Sequence, residues 1–332
     1  MKIANHDVWD RVLIVAEIGN NHEGNFDVAC RMLEAAADAG VDAVKFQTFQ
    51  TKLFTSNADP ARFERLTKFE LTQDQFAQLE QRARKRNLIF LSTPLDLVSA
   101  RFLAPLVDVF KIASGDNDFL PLIDYVCGTG KPVIISTGLA DLAHVQRVAE
   151  FARASGADGR LAFLHCVCAY PAPEAELNLR VIPALARELD CPIGWSDHTL
   201  GPDACLAATA LGARIIEKHF TLDKNFSAFR DHQLSADPAE MRRIVDGVRR
   251  VEAMLGKAEK RVQPSEEANQ RAARRSIAAA AALPSGHRLV AADLIWVRPA
   301  IGLPPGHEHK LLERTLARDV ATGEAITESD VS

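Results

Sequence analysis

From residue 11 to about residue 255, short apolar runs rich in Val, Ile and Phe alternate with longer stretches whose apolar residues recur at helical spacing. The runs are "RVLIVAEIG" (11–19), "VDAVKFQT" (41–48), "LIFLSTP" (88–94), "VDVFKIASG" (107–115), "PVIISTG" (132–138), "LAFLHCVCAYP" (161–171), "PIGWSDH" (192–198) and "RIIEKHFT" (214–221). Their length and β-branched content predict strands. The intervening "FDVACRMLEAAADAG", with its Gly stop, and "TQDQFAQLEQRARKRN", with its N-terminal Thr cap, predict helices. Eight strand–helix units over roughly 250 residues match a (β/α)8 TIM barrel, whereas a doubly wound open sheet normally has fewer strands.

A last periodic helix, "PAEMRRIVDGVRRVEAMLG", closes this pattern and sets the expected barrel domain at residues 1–256. The charged stretch 257–275, "KAEKRVQPSEEANQRAARR", lacks strong apolar periodicity and reads as a linker or extended arm. From Ser276 to Ser332 short strand-like pieces broken by "PSG", "LPPG" and "ATG" describe a small β-rich module. It is small for independent stability and is expected to lean on the barrel or on another subunit.

Charge and composition narrow the classes of function. The chain has 332 residues, 47% of them hydrophobic, and a formal charge of -5. No basic block is present to neutralise a phosphate backbone, so nucleic acid is not an expected partner. No apolar run approaches the roughly 18 residues of a membrane span, and a soluble, cytoplasmic protein is expected. The six cysteines are scattered, with only Cys166 and Cys168 close together, which is neither a zinc-knuckle nor a disulfide framework. Reduced thiols serving as small core residues are expected.

Polar residues collect at the ends of the apolar runs: Glu17, Asn20 and Asn21; Lys45 and Gln47; Ser92 and Thr93; Lys111 and Ser114; Ser136 and Thr137; Tyr170; Ser196 and His198; Glu217 and His219. One such terminus is ordinary loop solvation. Eight together predict one lined cavity at the C-terminal face of the barrel, where active sites of this fold are built. Alternation along a strand makes Lys45 and Gln47, Ser196 and His198, and Glu217 and His219 share that face. Lys218 should then point away from the cavity and tolerate Gln with little change in the substrate Michaelis constant.

His198 and His219, on adjacent strand ends, are candidate ligands for one divalent ion. Two imidazoles suit Mn, Fe, Co or Zn and leave positions open for water and substrate. Lys45 and Lys111 end strands otherwise made of apolar residues, so each needs a nearby anion. A structural carboxylate would suffice for either. With the hydroxyls of Thr93, Ser114 and Ser136 beside them, a phosphorylated and carboxylate-bearing ligand accounts better for the group. There is no GxGxxG or Walker loop to make that anion a nucleotide.

The ordered set "AEIGNNHEG" (16–24), "VKFQT" (44–48), "STP" (92–94), "FKIASGD" (110–116), "GKPVIISTG" (130–138), "LHCVCAYPAP" (164–173), "GWSDHTLG" (194–201) and "EKHFTLDK" (217–224), followed by "VRPAIGLPPG" (297–306), closely resembles the sialic acid synthases over almost the whole chain. The C-terminal module resembles the SAF, or antifreeze-like, domain of that family. The resemblance implies condensation of phosphoenolpyruvate with N-acetylmannosamine or a related N-acetylated hexosamine, releasing phosphate and a nine-carbon sugar acid. It implies His198 and His219 as ligands of a divalent metal, usually Mn2+. It places Lys45, Thr93, Lys111, Ser114, Ser136 and Ser196 around phosphoenolpyruvate. Glu17, Gln47, Asp116, Tyr170 and Asp231 match positions that meet the sugar or transfer protons, with Glu17, His219 and Asp231 as the catalytic set. Arg298 matches an arginine that the SAF domain delivers to the neighbouring subunit's site in a domain-swapped homodimer.

Three positions depart from the family pattern. Cys168 stands where Asn is frequent, Asp116 where a longer Glu often contacts the sugar, and "FSAFRDHQLS" (226–235) replaces a more usual Gly-Pro-Asp segment. These changes bear on the sugar more than on the reaction, and leave open a legionaminic or pseudaminic acid synthase acting on a diacetamido-trideoxyhexose. A metal-dependent pyruvate aldolase and a carbohydrate-binding protein without turnover are the more remote alternatives.

Overall fold

The computed structural model describes residues 1–332, which divide into two compact units, Met1–Gly256 and Lys257–Ser332. The first begins with a short antiparallel pair, β1 (Lys2–Ile3) and β2 (His6–Asp7). Eight strands follow: β3 (Leu13–Gly19), β4 (Ala43–Thr48), β5 (Ile89–Pro94), β6 (Val109–Ile112), β7 (Val133–Ser136), β8 (Leu161–Cys166), β9 (Ile193–Asp197) and β10 (Ile215–His219). They close into one barrel in sequence order, β10 pairing with β3, and all eight pairings are parallel. Each lies within one of the eight apolar runs, and the expected TIM barrel is the observed fold.

Alternation sorts the strand residues into two apolar clusters. One face of each strand, including Ile14, Val44, Phe46, Phe90, Phe110, Ile135, Phe163, Trp195 and Ile216, packs against the surrounding helices. The other face contributes Leu13, Val15, Ala43, Ile89, Leu91, Val109, Ile134, Ala162, Leu164 and Ile215 to a separate interior cluster, which Ile3 and Val8 of the N-terminal segment join. Gly194 belongs to the interior series, and a Cβ there would stand 2.4 Å from the Ile215 carbonyl oxygen and 2.5 Å from Leu164 Cδ2. Only glycine permits that approach. Two residues further along each strand, this same face turns polar.

The helices obey local chemistry. Helix Phe26–Ala39 starts at Asn25, whose side chain accepts from Val28 N–H, and stops at Gly40 with φ of 86°. Helix Gln73–Lys85 starts with a capping box between Thr72 and Gln75. Helix Pro238–Leu255 closes the first unit.

In the second unit, β11 (Ser276–Ala279) and β12 (Leu294–Val297) pair antiparallel. Its core gathers Ile277, Leu283, Leu289, Leu294, Leu311, Leu316, Val320 and Ile326. The stretch expected to be a linker contains a helix, Pro264–Ala273, with no buried residue. Local signals account for it: Pro at the first helical position, a Gln263/Glu266 capping box, and Ala, Glu, Gln and Arg in the interior. Absence of apolar periodicity excluded a core-facing helix there, not a solvated one.

Candidate active site

At the C-terminal end of the barrel the inward-facing series continues as Glu17, Lys45, Gln47, Thr93, Lys111, Ser136, Cys166, Ser196, His198, Glu217 and His219. Two buried lysines and two buried carboxylates form the floor of this mouth. Lys45 Nζ lies 3.4 Å from Glu17 Oε2 and 3.2 Å from Glu217 Oε2. Lys111 Nζ lies 3.6 Å from Glu217 Oε1 and donates to Ser136 Oγ at 2.6 Å. Lys45 also donates to Thr93 Oγ1 at 3.2 Å, and Ser196 donates to Glu217 Oε1 at 3.1 Å. Glu217 thus holds both ammonium groups and a hydroxyl at once.

The two carboxylates titrate apart. Burial raises Glu217, but Lys111 and Lys45 outweigh it and bring its pKa down to about 2. Glu17 has the weaker share of Lys45, and burial, with the Glu217 charge, pushes it up to about 7. Burial lowers Lys111 to about 8 against the pull of Glu217. Below pH 7, therefore, two ammonium groups face one ionised carboxylate.

His198 and His219 meet at the same mouth with ring centroids 5.3 Å apart. His198 Nδ1–H donates to the Val167 carbonyl at 2.8 Å, which leaves Nε2 with a lone pair. His219 Nδ1 is buried without a partner. Burial holds both imidazoles below the usual histidine pKa, so both are neutral. No third His, Cys, Asp or Glu completes a set of three around them. An orphaned ring nitrogen and a second ring locked in one tautomer fit a divalent ion with two protein ligands and open positions.

The remaining barrel candidates lie at strand ends and in the loops that follow them. Gln47 donates to Glu17 at 3.3 Å and accepts from Asn20 at 2.8 Å. The Ser114 hydroxyl accepts from Gly138 N–H at 3.1 Å, and Asp116, ending the same turn, is pushed up to about 6 by burial and then by Asp118. Tyr170 lies over His198 at 4.2 Å and carries the Arg230 guanidinium on its ring at 4.5 Å. Asp231 is 3.5 Å from Arg230 Nε. Arg298 lies in the second unit, exposed, just after β12.

Two family models cover the chain: the NeuB family over residues 32–260 and the SAF domain over residues 274–332. The chain belongs to the NeuB family. It is 35% identical over 333 residues to the N,N'-diacetyllegionaminic acid synthase of Campylobacter jejuni, covering 96% of this chain and 99% of that one. It is 32% identical over 308 residues to the human N-acetylneuraminate-9-phosphate synthase, covering 89% and 84%. Among solved structures it resembles the N-acetylneuraminic acid synthetase of Leptospira borgpetersenii, a citrate complex, with a TM-score of 0.74 and 33% identity over 78% of this chain and 90% of that one. The family is thus one of sialic, legionaminic and pseudaminic acid synthases.

Against this NeuB-family site, one expectation needs correction. Lys218 faces away from the mouth as the alternation requires, but it is not a tolerant surface position. It is fully buried between barrel and helices, 2.8 Å from the equally buried Asp197, and also donates to the Thr199 carbonyl. Gln in its place would strand a buried carboxylate. Sequence reasoning also assigned no role to Glu217, which is the hub of the floor. The signal was present in two apolar-strand lysines that needed an anion. Nor did it single out Arg230, or the pair Glu23 and His232, whose 3.0 Å contact ties the β10 loop to the loop after β3.

Proposed function

We propose that this chain condenses phosphoenolpyruvate with an open-chain N-acetylated hexosamine, N-acetylmannosamine or a close relative, and water, to give a nonulosonic acid and phosphate. The observation that carries this reading is the pair of buried ammonium groups of Lys45 and Lys111, flanked by the Thr93, Ser136 and Ser196 hydroxyls, at the same mouth as two neutral histidines. A compact anion with both carboxylate and phosphate matches the first feature. A carbonyl awaiting polarisation matches the second.

His198 and His219 would hold a divalent ion such as Mn2+, which as a Lewis acid would polarise the sugar aldehyde. Lys45 and Lys111 position the phosphoenolpyruvate carboxylate and phosphate, which orients carbon 3 for attack. As carbon 3 bonds to the aldehyde, positive charge develops at carbon 2, where water adds. Glu17, with its pKa near 7, is suited to take that water's proton. Departure of phosphate then breaks the C–O bond at carbon 2. Gln47, Asp116, Tyr170 and Asp231 face the sugar, and Tyr170 and Arg230 close one side with a flat stack.

The sign of the pH effect follows. If Glu17 acts as a base, kcat/KM rises with pH through about 7 as the carboxyl, held up chiefly by burial against the pull of Lys45, loses its proton. Glu17→Gln should remove this limb and lower kcat by about a hundredfold. A pH–rate profile of both enzymes checks it. Because the folded pKa is raised, Glu17's own contribution to stability is full below its unfolded value of 4.5 and is lost as pH rises through 7.

The decisive experiment is phosphate release from phosphoenolpyruvate with a panel of N-acetylmannosamine, its 6-phosphate and diacetamido-trideoxyhexoses. Release that depends on one of the sugars supports the reading and names the sugar. Turnover of pyruvate without phosphate release would assign an aldolase instead, and no turnover with any sugar would leave only binding.

The same proposal includes a domain-swapped homodimer in which Arg298 serves the partner's mouth. Mixing inactive Arg298→Ala and His198→Ala chains after co-refolding should restore about a quarter of wild-type activity, since half the dimers are mixed and each has one intact site. No recovery would place Arg298 outside its partner's site.

A further inference from the structure

Cys168 marks this chain off from the family pattern, and the structure puts it beside a second thiol at the edge of the metal site. Cys166 is the last residue of β8, and Cys168 follows two residues on, just beyond the strand. The two thiols act on one another, and both are close enough to feel the Ser114 hydroxyl. Gly138 makes the room: a Cβ there would sit 2.4 Å from Cys168 Sγ and 2.7 Å from Ser114 Oγ. Cys166 is buried, whereas Cys168 is partly exposed in the mouth. In an extended chain, residues two apart have Cα atoms about 6.6 Å apart. That lies near the upper end of the range of about 4.4–6.8 Å that a disulfide spans, and bringing the Cβ atoms to the required ~3.5–4.5 Å needs the backbone between them to move.

The residue between the cysteines links them to the site. Val167 supplies the carbonyl that takes the His198 Nδ1–H at 2.8 Å, and Cys166 Sγ itself lies 3.7 Å from that nitrogen. Bridging the two sulfurs closes a small ring around the Val167 peptide. Drawing the Cα atoms together turns that peptide, so the carbonyl that sets the His198 tautomer and ring plane loses its aim.

We infer that Cys166 and Cys168 form a peroxide-sensitive dithiol whose closure to a disulfide disables the metal site through Val167 and His198. One sulfur, as thiolate, attacks hydrogen peroxide, breaking its O–O bond to give a sulfenic acid and, with a proton, water. The second thiolate then forms the S–S bond and displaces the sulfenic oxygen, which leaves as water. Two thiols and one peroxide give one disulfide and two waters. A thiol reductant reverses the change. The effect on the metal rests on the reading of His198 as a ligand, whereas the bridge itself does not.

The test follows three readouts on the full chain treated with a few equivalents of hydrogen peroxide: intact mass with peptide mapping, Mn2+ affinity by calorimetry, and phosphate release. Wild type should lose about 2 Da, yield a cross-linked 166–168 peptide, bind Mn2+ more than about tenfold more weakly, and recover with dithiothreitol. C168S, and C166S as a second variant should the first fold poorly, should show neither the bridge nor the loss of affinity relative to its own untreated sample. Absence of the bridge, Mn2+ affinity unchanged in bridged protein, or equal peroxide sensitivity in C168S each overturns the inference. Untreated protein that binds no Mn2+ overturns the metal reading and this coupling together, while binding that survives oxidation overturns the coupling alone.

Discussion

His198→Ala, and separately His219→Ala, should lower kcat for phosphate release by about a thousandfold or more while leaving the barrel folded. Lewis-acid polarisation of a carbonyl supplies several kcal/mol, and about 1.4 kcal/mol corresponds to each tenfold in rate. On the proposed metal reading, with no third side chain able to complete a set of three, loss of either imidazole would leave one protein ligand. Calorimetric titration with Mn2+ should therefore show binding weakened together with turnover, and the far-ultraviolet spectrum and melting midpoint should change little. The two rings sit at the ends of strands, beyond the apolar layers that hold the barrel closed. Turnover retained in both variants, with Mn2+ binding intact, would remove the imidazole pair from the chemistry.

Lys218→Met should act on stability, and strongly. The ion pair with Asp197 is sealed on both sides, and register brings Lys218 and Asp197 side by side on β10 and β9. Cys205 on the overlying helix donates to the same carboxylate. Removing only the ammonium leaves a buried carboxylate with too few partners, at a cost of about 3–5 kcal/mol. For a chain of this size that lowers the melting midpoint by about 10 °C. The double variant Lys218→Met/Asp197→Leu should recover most of the loss, because a well-packed apolar pair can replace a buried ion pair at little cost. Thermal melts of the two singles and the double decide it: a double no better than Lys218→Met alone would mean the pair is not what the lysine supports. Burial raises Asp197, but Lys218 and the Thr199 contacts prevail and hold it below its ordinary 3.8. Its contribution is thus present above that value and is lost only as pH falls through the lower, folded pKa.

The lysine at 218 illustrates where sequence pattern reaches and where it stops. A strand has a period of two, so "EKH" at the end of β10 assigns Glu217 and Lys218 to opposite faces without any coordinates. What lies on each face depends on neighbours distant in sequence. Both faces of a barrel strand are covered, one by the interior and one by helices, so pointing away from the mouth does not mean pointing to water. Glu217 shows the converse. Its pairing with Lys45 and Lys111 exists because closure sets β10 against β3 and brings β4 and β6 around the same lumen. The helix within 264–273 was legible in its proline and capping residues but lacked the apolar stripe by which buried helices are recognised.

By itself the sequence determined the eight-strand rhythm, the inward face of each strand, and the family, because each depends on local periodicity or on ordered short motifs. Only the tertiary structure decided which charges neutralise one another, that Lys218 is sealed in, and that the Val167 carbonyl holds His198. Those are contacts between segments far apart along the chain. A hydrogen bond is lost beyond about 3.5 Å, so only the closed geometry of the barrel can assign such partners.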